Sequence, residues 1–353
     1  FIYENWYIFL FQLTYTFYLI KNWSYIQSNF FKKRIINKQD THYTQIPRIG
    51  GLILFTTMII MGLFKKDSLI IHFCLILSPI FLVGITEDLY NNVRPKIRII
   101  SMIFSSLLFL IIFDFPIPII SIPYVGQVLS NPLIGSIFLT FCIMIITNGM
   151  NLIDGSNGNA SLAGLTVLSA LCYLFMTINN VMLFNLSIFL IIFLLLFSLF
   201  NYPIGKIFLG DTGAYIIGFL ISCLCIKVFY TNPSLPSWIA VLILFYPAFE
   251  VLFSYMRKIF CKESPFLPDR RHLHILIFDY LIKKGLNVKI ANNAVVIVLI
   301  PIIFVGPSLA IINPFASISS ILTKLAICLL LYISYYYSFL RLLKIAKPRY
   351  NLE

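Results

Sequence analysis

Long apolar runs recur from one end of this chain to the other and constrain its fold more than any other feature. Each is close to the roughly 17–25 mostly apolar residues that a helix needs to cross a bilayer. Only 11% of the 353 residues are charged, against about 25% in soluble domains. Eleven spans are predicted, centred in Trp6–Ile20, Ile49–Leu63, Leu69–Thr86, Ile99–Phe113, Leu133–Ile146, Leu162–Thr177, Met182–Phe200, Ala214–Phe229, Trp238–Tyr255, Val295–Ile312 and Ile318–Phe339. The sequence therefore predicts an all-α polytopic integral membrane protein.

The whole chain is predicted to form one transmembrane domain, residues 1–353, because no hydrophilic stretch is long enough for a separate soluble domain. Pro116–Pro132 is apolar but rich in Pro and Gly, so we interpret it as a hairpin on the outer face rather than a span. Six of the seven cysteines lie in apolar runs, which indicates neither a disulfide framework nor a zinc site.

The basic residues predict the orientation of the chain. Of the 26 Lys and Arg residues, 22 fall in loops on one side of the predicted spans. The positive-inside rule places that side in the cytoplasm, so the N-terminus is expected outside and the C-terminus inside. The net charge of +13 is explained in this way, and no aromatic-interleaved basic stripe indicates nucleic acid. The predicted cytoplasmic active face consists of loops 21–48, 87–98, 148–161, 201–213 and 257–290.

An unusually polar block, NGMNLIDGSNG (Asn148–Gly158), separates two of the apolar runs. Unsatisfied polar groups cost several kcal/mol in a bilayer (~2–7 each), so this block must be a plain loop or a polar site at the membrane face. Asn148, Asn151 and Asp154 are spaced by three, which makes successive members neighbours if the helix continues. Two amides and a carboxylate suit a sugar or a nucleobase, whereas a turn rich in Asn and Gly is the simpler alternative.

Two other acidic segments fall on the same predicted face. Glu87 and Asp88 end the third run, where adjacent carboxylates repel each other unless a cation compensates. They indicate a Mg²⁺ or general-base site, with a solvated helix end as the alternative. Asp211, in NYPIGKIFLGDTG, precedes the eighth run. It is interpreted either as an N-cap acid or as the ligand of a metal that phosphates share at a helix N-terminus.

The segment SPFLPDRRHLH (Ser264–His274) adds basic groups to this face. Two prolines predict a non-helical segment, and Arg270, Arg271, His272 and His274 suit a diphosphate. A zinc site is disfavoured, because zinc would need a third and a fourth ligand beside these two histidines. A solvated basic loop is the alternative.

Together, five motifs resemble those of the polyprenyl-phosphate N-acetylhexosamine-1-phosphate transferases of glycosyltransferase family 4. That family includes UDP-N-acetylglucosamine–undecaprenyl-phosphate enzymes and, more distantly, phospho-N-acetylmuramoyl-pentapeptide transferase. The similarity extends from His42 to His274 and includes an eleven-span topology. The matching motifs are IPRIGG (Ile46–Gly51), GITEDL (Gly84–Leu89), NGMNLIDGSNG, FLGDTG (Phe208–Gly213) and PDRRHLH (Pro268–His274).

The resemblance implies transfer of a sugar 1-phosphate from a UDP-sugar to undecaprenyl phosphate, with release of UMP. It implies Mg²⁺, with Mn²⁺ as the alternative cation, held by Asp211 and Asp88. Glu87, Asp88 and Asp154 are the implied catalytic residues, and the division of roles between Asp88 and Asp154 stays open. The residues assigned to substrate are Arg48, Lys96, Asn148, Asn151, Asn157, Arg270, His272 and His274.

Two residues depart from the family pattern. Glu87 stands where the family usually has Asp, and Asn157 stands where many relatives have a second Asp.

The resemblance further implies a bacterial inner-membrane protein in the lipid bilayer that starts a cell-envelope glycan, such as lipopolysaccharide or a cell-wall polymer. The donor sugar stays open, as does a homodimer. The alternative from another class is a membrane transporter with a polar cytoplasmic-side site.

Overall fold

The computed structural model describes residues 2–30, 46–114, 125–264 and 270–344, and within these ranges the fold is helical without a sheet. The helices are α1 (Ile2–Phe30), α2 (Gly50–Lys65), α3 (Ser68–Tyr90), α4 (Pro95–Ile112), α5 (Val125–Leu129), α6 (Pro132–Ile153), α7 (Asn159–Thr177), α8 (Val181–Asn201), α9 (Gly210–Thr231), α10 (Trp238–Ile243), α11 (Phe245–Phe260), α12 (Leu273–Lys283), α13 (Val288–Ile311) and α14 (Ile318–Leu343).

Eight of the described helices are long and apolar enough to cross a membrane. They are α3, α4, α6, α7, α8, α9, α13 and α14. Large apolar side chains such as Ile111, Leu133 and Leu330 remain exposed on the outside of the bundle, as lipid-facing positions require. The all-α polytopic fold class is confirmed, while the count of eleven spans and the orientation stay predictions.

Helix α9 occupies the centre of the bundle. Its apolar stretch is 89% buried, against 22–67% for the other seven long helices. Small residues allow this close packing: a Cβ added to Gly218 would lie 2.8 Å from the Cα of Thr147 on α6. Because α2, α3, α6 and α7 all pack against α9, the start of α9 is where the ends of several helices meet.

The predicted ninth span, Trp238–Tyr255, is interrupted, which corrects the expectation of one continuous helix. The chain leaves the helical path at Leu244 and continues as α11. Pro247 provides the physical reason, since proline has no N–H to donate and its ring clashes with the preceding turn.

Several helices also extend further than the apolar runs indicated. Helix α3 continues to Tyr90, α6 continues to Ile153, and α9 begins at Gly210. The acidic residues expected in loops 87–98 and 201–213 therefore include ones that lie on helix ends. Polar residues can continue a helix at a membrane face because water there solvates them, so hydropathy locates the apolar core of a span rather than its ends. Residues 31–45 of the first basic loop and 115–124 of the predicted hairpin lie outside the described residues.

Candidate active site

The IPRIGG motif is bound directly to the FLGDTG motif through the backbone. The N–H of Phe208 donates to the carbonyl of Pro47 at 2.8 Å. In return, the N–H of Gly50 donates to the carbonyl of Phe208, and the N–H of Gly51 donates to the carbonyl of Leu209, each at 3.0 Å. These bonds hold the segment that carries Arg48 against the start of α9. Two motifs about 160 residues apart in the sequence thus form one side of the site.

Asp88 caps the N-terminus of α9 from the neighbouring helix α3. Its Oδ1 accepts the N–H of Asp211 at 2.9 Å, and its Oδ2 accepts the N–H of Thr212 at 2.9 Å and the Thr212 hydroxyl at 2.6 Å. A helix leaves its first N–H groups without intrahelical partners, and a carboxylate satisfies them well. Gly210 is required here, because it has a φ of +76° and a Cβ would lie 2.6 Å from Oδ2 of Asp88.

Arg98, on the first turns of α4, links two of the predicted acids. Its guanidinium forms an ion pair with Glu87 and approaches Oδ2 of Asp211 at 3.3 Å. Glu87 also accepts the N–H of Val93 at 2.8 Å, which ties down the turn between α3 and α4. Arg98 is not among the predicted site residues, although its position in a predicted cytoplasmic loop next to the Glu87–Asp88 pair is a signal that could have identified it.

Asp154 completes the acidic cluster. It directly follows α6, and its backbone N–H donates to the carbonyl of Asn151. Burial raises the pKa of Asp154 well above its usual value; Arg48 opposes the shift, while Asp211 and Asp88 add to it. Carboxylates from α3, from the end of α6 and from α9 therefore lie within electrostatic reach of one another.

The donor set at this cluster fits a divalent cation. Four carboxylates, Glu87, Asp88, Asp154 and Asp211, lie among two guanidinium groups, those of Arg48 and Arg98. The net negative charge of four buried or partly buried carboxylates beside two guanidinium groups favours the binding of a cation. Mg²⁺ needs only one or two carboxylates and takes its other ligands from water and phosphate. The described residues form no cluster of three or more His, Cys, Asp or Glu in metal-binding geometry.

The two histidines of the PDRRHLH motif lie next to the Asp154 loop. The ring of His274 packs against Gly155 so closely that a Cβ on Gly155 would collide with it. The rings of His272 and His274 are nearly parallel, with centroids 6.0 Å apart. Burial lowers the pKa of His274 to about 4, with a smaller contribution from His272. His274 is thus a neutral imidazole that holds the loop.

The segment Ser264–His274, which is expected to be non-helical, is non-helical in only part of its described residues. Within the described residues it is non-helical up to His272, and α12 begins at Leu273, so that His274 lies in its first turn. Residues 265–269, which include Pro268 of the motif, lie outside the described residues.

The predicted amides divide into two groups. Asn148 and Asn151 continue on α6 as the threefold spacing indicated, and the amide of Asn148 donates to the Met144 carbonyl at 2.9 Å. Asn157 instead faces α13: its backbone N–H donates to Asn292 at 2.7 Å and its side chain donates to Asn293 at 2.8 Å. An aspartate at position 157 could not donate the second bond.

Two predicted substrate residues lie apart from the acids. Lys96 is exposed on the first turn of α4. Arg270 pairs with Asp279 at 2.7 Å, and 45% of its side chain is exposed. The structure therefore does not bring these two side chains into the carboxylate cluster.

Replacing Gly51 by Ala is expected to destabilise the fold by about 2–3 kcal/mol, a typical cost of overpacking. A Cβ there would meet the backbone of Gly213 and Thr212 and push α2 away from α9. Thermal unfolding in detergent measures the effect. Gly62→Ala, at the other end of α2, is the control, because its nearest neighbour is the flexible Ile71 side chain at 3.1 Å. Equal melting temperatures for the two variants would contradict the tight contact.

Comparison with known proteins gives consistent similarities. The family model described as glycosyl transferase family 4 matches residues 69–229. An undecaprenyl-phosphate alpha-N-acetylglucosaminyl 1-phosphate transferase of Thermotoga maritima is 26% identical over 67% of this chain and 70% of its own length. A probable undecaprenyl-phosphate N-acetylglucosaminyl 1-phosphate transferase of Bacillus subtilis is 28% identical over 67% of each chain. A phospho-N-acetylmuramoyl-pentapeptide-transferase of Dictyoglomus thermophilum is 32% identical over 59% of this chain and 69% of its own.

Proposed function

Because the chain belongs to glycosyl transferase family 4, we propose that it transfers an N-acetylhexosamine 1-phosphate from a UDP-sugar to undecaprenyl phosphate and releases UMP. The relatives from Thermotoga maritima and Bacillus subtilis are named undecaprenyl-phosphate N-acetylglucosaminyl 1-phosphate transferases, which supports the polyprenyl acceptor and an N-acetylglucosamine donor. The family predicted from the five motifs is thereby confirmed. The product, a lipid-linked diphosphate sugar, would start a cell-envelope glycan.

One observation carries the proposal: acids and bases from distant parts of the chain converge on the first turn of α9. Asp88 caps this turn, Asp211 belongs to it, and Arg48 is held beside it. These groups sit at the ends of long apolar helices. A site there lets a lipid tail stay in the bilayer while its phosphate meets a soluble nucleotide. The excess of Lys and Arg in the loops on the same side of the spans supports an inner-membrane enzyme with its active site on the cytoplasmic face.

In the proposed reaction, an oxygen of the lipid phosphate attacks the phosphorus that carries the sugar. The bond from that phosphorus to the bridging oxygen breaks, and UMP leaves with the bridging oxygen. Asp154 is the proposed base for any proton on the lipid phosphate, because its buried carboxyl has a raised pKa. Arg48 and Arg98 offset the negative charge of two phosphates that would otherwise repel each other.

Asp211 is the residue proposed to hold Mg²⁺, or Mn²⁺ in its place. Both oxygens of Asp88 already accept hydrogen bonds from α9, so Asp88 would support the cation through its charge and through the position of Asp211. When bound, the cation would neutralise the diphosphate and favour departure of UMP. His272 and His274, next to Gly155, are proposed to face the nucleotide sugar together with Asn148 and Asn151.

The transporter alternative receives less support. Transporters place their ionisable groups near the bilayer midplane at broken helices. Here Glu87 and Asp88 lie in the last turn of α3, Asp154 follows α6, and Asp211 lies in the first turn of α9. Residues grouped at helix ends suit a reaction at the membrane face.

A direct test incubates the purified protein in detergent with undecaprenyl phosphate and a panel of UDP-sugars, and measures UMP release. We expect release with at least one UDP-N-acetylhexosamine, and the panel identifies the donor. No release with any donor, in protein that keeps its helical circular dichroism spectrum, would reject the proposed function.

Removing divalent cations with EDTA is expected to reduce UMP release by about 100-fold or more, since the cation neutralises charge that develops on the leaving group. Adding back Mg²⁺ or Mn²⁺ should restore the activity, whereas Ca²⁺, with its looser coordination, should restore it less. Undiminished activity in EDTA would contradict the metal assignment while leaving the transfer reaction intact.

A further inference from the structure

Glu250, on α11, is a buried carboxylate that the proposed reaction does not use. Only 1% of the residue is exposed. A buried charge is costly unless it is paired and hydrogen-bonded. Glu250 meets this requirement, because its two oxygens lie within hydrogen-bond distance of three donor groups from two other elements.

Two of these groups belong to the start of α12. Oε1 of Glu250 lies 3.2 Å from Nδ1 of His272 and also accepts the N–H of Leu273 at 3.2 Å. The side chain of Glu250 therefore caps α12 from another helix. It also fixes the orientation of the His272 ring, as carboxylates do for functional histidines elsewhere.

The third donor comes from the last helix of the chain. The hydroxyl of Tyr332, on α14, donates to Oε2 of Glu250 at 2.6 Å. Tyr332 is itself fully buried and packs edge-on against Phe249 and Phe253 of α11. This bond holds the carboxylate in place, so that the position of His272 depends on three helices.

The two histidines are not equivalent. His274 is held neutral by burial and packs against Gly155, so it does not bring a positive charge to a diphosphate. The Nδ1 atom of His272 lies 3.2 Å from the Glu250 carboxylate, which fixes the orientation of the ring. With Nδ1 turned toward Glu250, Nε2 is the nitrogen that can meet a ligand.

We propose that Glu250 is a positioning residue that aims Nε2 of His272 at the diphosphate of the nucleotide donor. It thereby determines donor affinity and leaves the lipid acceptor unaffected. This inference rests on the proposed transferase function and adds a residue outside the five motifs.

The test uses Glu250→Gln, which keeps the size of the side chain and removes its charge. In purified protein with Mg²⁺, we expect the Kd of UDP and the KM of the UDP-sugar to rise about tenfold, because a charge-assisted hydrogen bond is weakened. The turnover rate should fall less than about threefold, and the KM of undecaprenyl phosphate should not change, because uniform ground-state binding of one substrate is lost.

Tyr332→Phe is the second variant, since it removes one hydroxyl without changing the fold of the core. It should shift the Kd of UDP in the same direction by about threefold. Combining either variant with His272→Ala should add nothing to the effect of His272→Ala alone, because coupled residues are not additive. Glu263→Gln is the matched control: Glu263 lies 3.4 Å from Arg271, and 42% of its side chain is exposed.

An unchanged Kd of UDP in both Glu250→Gln and Tyr332→Phe would overturn the inference. Full additivity with His272→Ala, or an equal rise in both KM values, would overturn it as well, since either result indicates a general structural role. These outcomes are separate from the proposed function itself, which fails only if the wild-type protein releases no UMP.

Discussion

Asp211→Asn is expected to reduce UMP release by at least about 100-fold, which is the usual loss when a preorganised charge is removed from a phosphoryl-transfer site. The substitution preserves shape and removes the charge that Arg48 and Arg98 now face at 3.7 and 3.3 Å. The backbone N–H of Asp211 still donates to Asp88, so the helix start should survive. Arg48 and Arg98 would then lose the Asp211 carboxylate where the cation is proposed to bind, while Arg98 keeps its ion pair with Glu87.

A binding measurement separates this loss from misfolding. Mn²⁺ together with UDP should raise the melting temperature of the wild-type protein and should not do so for Asp211→Asn. Asp114→Asn is the matched control, because Asp114 is exposed just beyond the other end of α4. Normal activity of Asp211→Asn, or equal cation stabilisation in both proteins, would remove Asp211 from the metal site.

Asp88→Ala is expected to damage both stability and activity. It would leave two backbone N–H groups and the Thr212 hydroxyl without their acceptor at the start of the most buried helix. Losing a cap and leaving buried donors unsatisfied costs about 3 kcal/mol together. The melting temperature should fall, and UMP release should drop at least about 100-fold, because Asp211 loses its fixed position.

Thr212→Val isolates the capping contribution, since it removes one of the three donors and touches no proposed substrate group. We expect a smaller loss of stability, about 1 kcal/mol, and a loss of activity in the same direction. If Asp88→Ala unfolds at the wild-type temperature and Thr212→Val is fully active, Asp88 does not work through α9. A direct role on the substrate phosphate would then be the better explanation.

The fold class could be predicted from the sequence because hydropathy is a property of each segment by itself. All eleven predicted spans are helical in the structure, although the ninth is broken at Leu244. The break follows from Pro247, which is visible in the sequence, yet a proline within a span can kink, break or be tolerated according to its neighbours. The predicted end of α6 and the predicted start of α9 fall several residues short of the observed ones, since polar residues at a membrane face continue a helix without a hydropathy signal.

The candidate site likewise combines residues that the sequence predicts with residues that only the structure identifies. The motifs identified Asp88, Asp154 and Asp211 as candidates, and the structure brings them together. Arg98 and Glu250 were overlooked as site residues because their partners are far away in sequence: Arg98 meets Asp211 across 113 residues, and Tyr332 meets Glu250 across 82. Conversely, Lys96 is exposed at the start of α4, and Arg270 pairs with Asp279 rather than with the carboxylate cluster.

The sequence by itself determined that this chain is a helical membrane protein with acids and bases grouped between its spans, because burial in lipid depends on composition along a single segment. Only the tertiary structure decided which of those groups share one site. A carboxylate gains its role from the donors around it, and those donors come from helices that are adjacent in space rather than in sequence. Asp88 thus became the cap of α9, and Glu250 became the partner of His272.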